Sequence, residues 1–90
     1  MRAVLICHDK PGALPLRMET RAAHLAHIEA TGLVEMAGPL LDESGAMAGS
    51  LIVLDVPDLA AARAWAAADP YARAGLFERV TVREWQKVIG

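Results

Sequence analysis

Short apolar runs alternate with helical stretches along the chain and predict six elements. The strand-like runs are rich in Val, Leu and Ile and are bounded by Gly, Pro or Asp. The stretches between them have the three- and four-residue spacing, or the Ala-rich composition, that is typical of helices. We predict strands at 3–7, 33–37, 50–56 and 77–85, and helices from about Leu16 to a Gly32 C-cap and from Leu59 to Ala68.

The order of these elements is β-α-β-β-α-β, which predicts an α+β ferredoxin-like fold: an antiparallel sheet with two helices on one face. Asp58 is the predicted N-cap of the second helix. Gly38-Pro39 is predicted to close the second strand, and residues 42–45 form a turn cluster. Because 90 residues leave room for only one core, residues 1–90 should form a single domain.

The first and third strands are apolar on both faces. In the first strand Leu5 opposes Val4 and Ile6, whereas a strand with one wet face should alternate apolar and polar residues. No third layer remains in so short a chain, so we predict a homodimer in which a second copy covers the free face of the sheet. The alternative is a monomer with an exposed apolar sheet, which is unusual.

The charge and the cysteine content limit which partners and which cellular compartment we expect. The net charge is −2 with mixed signs, and no Lys/Arg run is present, which argues against nucleic acid as a partner. The single cysteine, Cys7, allows no intrachain disulfide and fits a reducing compartment. The opening apolar stretch is too short for a signal sequence or a membrane span. We therefore expect a cytoplasmic protein without a membrane partner.

The first predicted helix carries a histidine suited to proton transfer. Met18, Ala22 and Leu25 form its predicted core stripe, and His24 lies at the edge of that stripe. Arg17 and Arg21 share the His24 side of the helix. Nearby positive charge favours a neutral, basic imidazole, so His24 is a candidate general base. The alternative is a surface histidine between solvated arginines.

The other histidines carry weaker signals. His27 is predicted to be a solvated surface residue, although it forms an H-x-x-H pair with His24. A metal site would need a third ligand, such as Cys7 or His8 from the first strand, and no diagnostic spacing supplies one. We therefore predict no metal. No phosphate-binding or nucleophile motif is present, and no organic cofactor is expected.

Asp69-Pro70-Tyr71 interrupts the end of the second helix and has two interpretations. Asp before Pro commonly caps a short helical turn. The carboxylate could instead orient and charge a nearby imidazole. The two roles can coexist, because a carboxylate has two oxygens and several lone pairs.

From Ala3 to about Val88 the chain resembles a known family, the YciI-like (YCII-related) proteins. Arg17, Arg21 and His24-Leu25 are similar to the family signature R-x-x-x-R-x-x-H-L. The other landmarks in the same order are Gly38-Pro39-Leu40, Gly49, and Asp69-Pro70-Tyr71 followed by Ala74-Gly75. The resemblance implies a dimeric α/β barrel of ferredoxin-like subunits and a His–Asp dyad at His24 and Asp69. Where activity is assigned in the family, it is dehydrochlorination of a chlorinated hydroxyquinol.

These observations predict a small cofactor-independent enzyme that performs acid/base elimination or isomerisation on a small, aromatic or hydroxylated molecule. His24 and Asp69 are the candidate catalytic residues. The candidate substrate-binding residues are Arg17, Arg21, Gly38, Pro39 and Tyr71. A non-catalytic small-molecule-binding protein and a structural dimerisation module remain the alternatives. The loop from Asp42 to Ala48 is shorter than in some family members, so the rim of the pocket could differ.

Overall fold

Four antiparallel strands form one sheet, and the helices cover one of its faces. The structure is a computed structural model that describes residues 1–90. The strands are β1 (Arg2–Asp9), β2 (Val34–Leu41), β3 (Met47–Asp55) and β4 (Phe77–Trp85), and the helices are α1 (Leu14–Thr31), α2 (Leu59–Ala68) and α3 (Pro70–Arg73). The strand order across the sheet is β2-β3-β1-β4. This arrangement is the predicted ferredoxin-like fold.

The core lies between the sheet and the helices. Leu5 of β1 pairs with Ile52 of β3, and alternate residues of both strands point to the same helix-covered face. Trp65 and Ala62 of α2 pack against them from above. The buried cluster consists of Ala3, Leu5, Cys7, Ile52, Leu54, Val56, Ala62 and Trp65. No helix of the structure is both long and apolar enough to cross a membrane.

The predicted helix ends are confirmed. Gly32 ends α1 in the left-handed conformation with φ 65°, and its N–H donates to the Ile28 carbonyl. Asp58 caps α2, because its side chain accepts a hydrogen bond of 2.8 Å from the N–H of Ala61. Asp69 separates α2 from the single turn α3, as the C-cap residue of the first helix and the N-cap residue of the second.

The predicted end of the second strand is wrong. β2 continues through Gly38-Pro39 to Leu41, where a turn around Asp42 begins. Proline breaks central strands because it cannot donate to a ladder, but β2 is an edge strand with a neighbour on one side only. Pro39 is therefore tolerated at this position, opposite Ser50.

The predicted core face of α1 is also wrong. Met18 is 53% exposed and Leu25 is 46% exposed, whereas Arg17 and His24 are the buried residues of the helix. Apolar and small residues lie on most sides of α1, so the spacing of its apolar residues does not determine which side faces the sheet. The helix turns its polar side inward because Arg17 and His24 each find a charged partner beneath it.

Gly49 stands where β3 leaves no room for a side chain beside the backbone of β1. A Cβ at this position would collide with the carbonyl oxygen of Cys7 and would also press on the Leu40 side chain. Only glycine fits such an approach without a backbone shift. This constraint holds the next residue, Ser50, against β1 and beneath α1.

Candidate functional site

A cleft of about 140 Å³ opens between α1, Tyr71 of α3 and the β2–β3 half of the sheet. Six of the seven predicted site residues line it. The seventh, Asp69, lies buried behind His24. The lining residues are Arg17, Arg21, His24, Leu25, Ile28, Ala37, Gly38, Pro39, Met47, Ser50, Ile52 and Tyr71.

His24 and Asp69 are in direct contact, although 45 residues separate them in the sequence. His24 Nδ1 lies 2.8 Å from Asp69 Oδ1, and both side chains are buried. The same oxygen accepts a hydrogen bond of 3.0 Å from the N–H of Tyr71, so Asp69 also caps α3. An ionised carboxylate only accepts, so a hydrogen bond to the Asp69 carboxylate requires the ring proton on Nδ1. Nε2 has no partner in the protein and faces the cleft.

Tyr71 supports the His24 ring from one side. The two rings stack with their centroids 4.0 Å apart and their planes 18° from parallel. Phe77 in turn meets the Tyr71 ring edge-on at 5.9 Å. Burial raises the pKa of the Tyr71 phenol above its usual value, against the opposing charges of Arg17 and Arg21. The phenol therefore stays protonated at neutral pH.

Arg17 reaches under α1 and is held by two residues of the sheet. Its Nε and Nη2 donate to the two Asp9 oxygens at 2.7 and 2.9 Å, a bidentate pair with both side chains buried. Nη2 also donates to Ser50 Oγ at 2.9 Å. The guanidinium carbon lies 4.6 Å from the centre of the Tyr71 ring. Arg17 thus has a fixed position at the wall of the cleft.

The charge of Arg17 is stable in spite of its burial. Burial acts to lower the pKa of the guanidinium, but the hydrogen bonds and negative charge of Asp9 outweigh it and raise the pKa overall. Arg21 differs, because it is exposed at the mouth of the cleft and forms no salt bridge. Arg21 is therefore the arginine of the cleft whose positive charge has no acidic partner.

The remaining histidines and the cysteine lie outside this constellation. The prediction that His27 is a solvated surface residue is wrong. Its ring packs on the Trp65 ring, with the two centroids 4.6 Å apart. Its orientation follows from the inward turn of α1. Burial raises the pKa of the Cys7 thiol to about 12, so the thiol is protonated at neutral pH. No three His, Cys, Asp or Glu side chains cluster as a metal site would require.

Two residues of the site have no sequence motif. Asp9 follows the first predicted strand and belongs by pattern to the Asp9–Gly12 breaker. Ser50 begins the third predicted strand with no signature around it. Both become recognisable only once the sheet brings β1 and β3 together beneath α1. A small polar residue at a helix-facing strand position is the only local signal for Ser50.

The fold and cleft define a ferredoxin-like α+β protein with a buried histidine–carboxylate pair in a small, half-apolar pocket. The family model of the YCII-related domain matches residues 1–86. The chain therefore belongs to the YCII-related family. It is 37% identical to protein YciI of Escherichia coli O6:H1 (strain CFT073), over 98% of this chain and 99% of the relative.

Solved structures agree with this assignment. The 5-chloro-2-hydroxyhydroquinone dehydrochlorinase (TftG) of Burkholderia phenoliruptrix AC1100, in complex with 2,5-dihydroxybenzoquinone, superimposes with a TM-score of 0.86 at 28% identity, covering 96% of this chain and 94% of that one. An antibiotic biosynthesis monooxygenase superimposes with a TM-score of 0.60 at 15% identity, covering 98% of both chains. The second likeness shows the fold alone.

The Arg17–Asp9 pair generates a stability prediction. Asp9→Ala should lower the free energy of unfolding by about 3–5 kcal/mol, because it leaves the Arg17 charge buried without a counter-ion. Urea denaturation measures this loss. The exposed Arg2–Glu35 pair is the matched control, and Glu35→Ala should cost no more than about 1 kcal/mol. Equal losses for the two variants would contradict a buried, charged Arg17.

Proposed function

We propose that this protein is a cofactor-independent enzyme in which His24 is the general base and acid. The observation that carries the proposal is the buried hydrogen bond of 2.8 Å between His24 Nδ1 and Asp69 Oδ1, with Nε2 facing the cleft. A proton held on Nδ1 leaves the Nε2 lone pair available to a substrate. Because His24 and Asp69 are buried and in contact, a catalytic dyad is favoured over a purely structural dimerisation module.

Asp69 has the role of a positioning and charge-stabilising residue. Its carboxylate fixes the His24 tautomer and stabilises the imidazolium that forms when Nε2 accepts a proton. Tyr71 restricts the ring from the side by stacking at 4.0 Å. The imidazole therefore keeps one orientation before and after proton transfer, and little reorganisation accompanies the chemical step.

The size and charge of the cleft indicate the substrate class. A protein cavity of about 150 Å³ accommodates benzene, and this cleft measures about 140 Å³. Ile52, Leu25 and Pro39 supply apolar walls, while Arg17 and Arg21 supply positive charge. We expect a single six-membered ring that carries oxygen substituents, with Arg17 or Arg21 stabilising an anionic or enolate-like oxygen.

The reaction begins when Nε2 of His24 removes a proton from a ring hydroxyl or an activated C–H group. The electron pair left behind either expels a leaving group as an anion, which is elimination, or shifts within the ring system, which is isomerisation. In the second case the imidazolium returns its proton to another ring position. The dehydrochlorinase TftG, at 28% identity, supports the elimination branch.

The test is a panel of small phenols, quinols and lactones, including chlorinated quinols, offered to the wild type and to His24→Ala. Loss of a general base should reduce kcat/KM by about 10²–10⁴-fold. Glu29→Ala is the control, since Glu29 is an exposed residue of the same helix and does not line the cleft. Turnover that survives His24→Ala would contradict the proposal. Tight binding by the wild type without turnover would favour the alternative, a non-catalytic small-molecule-binding protein.

We also propose a homodimer built on the face of the sheet opposite the helices. Val4 and Ile6 of β1 lie on that face and are only half-buried. Leu51 is 40% exposed and Met36 is 55% exposed beside them. A contiguous apolar sheet face of this kind is unusual in a monomer. A second copy of the chain has the same self-complementary surface, which suits a two-fold interface.

Light scattering at micromolar concentration should give twice the chain mass of 9.6 kDa. Leu51→Glu should return the protein to the monomer mass, because it places a charge at the centre of the apolar face. Met18→Glu is the matched control, since Met18 is equally apolar but exposed on the outer side of α1. A monomeric wild type, or a dimer that survives Leu51→Glu, would refute this interface.

A further inference from the structure

We propose that Ser50 is a substrate-binding residue whose hydroxyl donates a hydrogen bond to a second oxygen of the ring. This inference rests on the proposed function, because it specifies the substrate that the His24 site accepts. It narrows the class to rings with two oxygen substituents, one directed to His24 and one directed to Ser50.

The first argument is the hydrogen-bond inventory of the Ser50 side chain. A serine hydroxyl has one donor and two acceptor sites. Oγ accepts from Arg17 Nη2 at 2.9 Å, and a guanidinium can only donate. The Ser50 proton must therefore point elsewhere, and no acceptor in the protein receives it. No hydrogen bond links Ser50 Oγ to either Asp9 oxygen.

The second argument is burial. Ser50 is only 3% exposed, on the helix-facing side of β3 opposite Cys7. Buried hydroxyl groups in native proteins almost always have their donors satisfied. Ser50 lines the cleft together with Ile52 and Pro39, so its side chain borders the space that a ligand would fill. The geometry thus points the unpaired donor at whatever occupies the cleft.

The third argument is rigidity. Ser50 is held in place by Arg17 on one side and by the close approach of Gly49 to the Cys7 carbonyl on the other. A donor fixed in this way discriminates strongly, because a ligand without an acceptor at that point leaves the buried hydroxyl unpaired. Ser50 and His24 both reach the same cleft, from the sheet and from α1 respectively. A dioxygenated ring can satisfy both side chains at once.

The test pairs a protein hydroxyl with a ligand hydroxyl. The three dihydroxybenzenes and the three cresols are matched ring by ring in size, and each pair differs by one hydroxyl in place of a methyl group. Affinities for wild type and Ser50→Ala are measured by NMR titration. For at least one pair the wild type should prefer the dihydroxybenzene by about five- to tenfold, as one net hydrogen bond provides. Ser50→Ala should reduce that preference below about twofold.

Ser44→Ala, in the exposed turn, is the control and should keep the preference of the wild type. The Arg17 Nε–H resonance reports the Arg17–Asp9 pair and should be unchanged in Ser50→Ala. A wild type with no preference in any pair, or a preference that survives Ser50→Ala, overturns the proposal. An altered Arg17 resonance together with lost preference also overturns it, because Ser50 would then act only through Arg17. A preference without turnover leaves this subsite in place and refutes the catalytic proposal instead.

Discussion

A single carboxylate oxygen, Asp69 Oδ1, joins α1 and α3, the two helices that carry His24 and Tyr71 to the cleft. Asp69 Oδ1 accepts from the backbone of Tyr71 and from the ring of His24 at the same time. The first bond caps the start of α3, and the second ties α1 to the junction of α2 and α3. Removing this oxygen would therefore release both the helical turn that carries Tyr71 and the imidazole that Tyr71 supports.

The buried charges explain why so small a chain retains polar groups beneath α1. Arg17, Asp9, His24 and Asp69 occupy positions that apolar residues could fill, and buried ion pairs add little net stability. Each of the four, however, has its hydrogen bonds arranged by a partner on another element. The result is a rigid set of polar groups around an otherwise apolar cleft, which is the arrangement that binding or catalysis requires.

The sequence indicated the fold more fully than the orientation of its parts. Strand β4 and helix α2 were predictable to the residue, because β-branched runs, an Asp58 cap and an Ala-rich segment are local signals. The inward face of α1 was not predictable from spacing, because the partners that draw Arg17 and His24 inward are distant in sequence. Asp9 lies eight residues from Arg17, and Asp69 lies 45 from His24.

The same limit applies to the site. His24 and Asp69 were identifiable because a titratable ring and an Asp-Pro turn are recognisable chemistry, and their family resemblance placed them together. Ser50 and Asp9 carry no such signature. Their roles depend on strand register, in which Ser50 pairs with Cys7, and register emerges only when β1 and β3 associate.

The most direct test of the central claim, that Asp69 holds His24 with Nε2 free, is the ring tautomer measured by ¹⁵N NMR in wild type and Asp69→Ala. Alanine removes the oxygen that serves both His24 and the α3 cap, so the variant should also lose about 0.5–2 kcal/mol of stability. In the neutral ring of the wild type the proton should reside on Nδ1. In Asp69→Ala a substantial fraction should move to Nε2, because no carboxylate is left to accept from Nδ1. The His27 ring, paired with Trp65, should not change. An identical His24 tautomer in both proteins would contradict the account and reduce Asp69 to a helix cap.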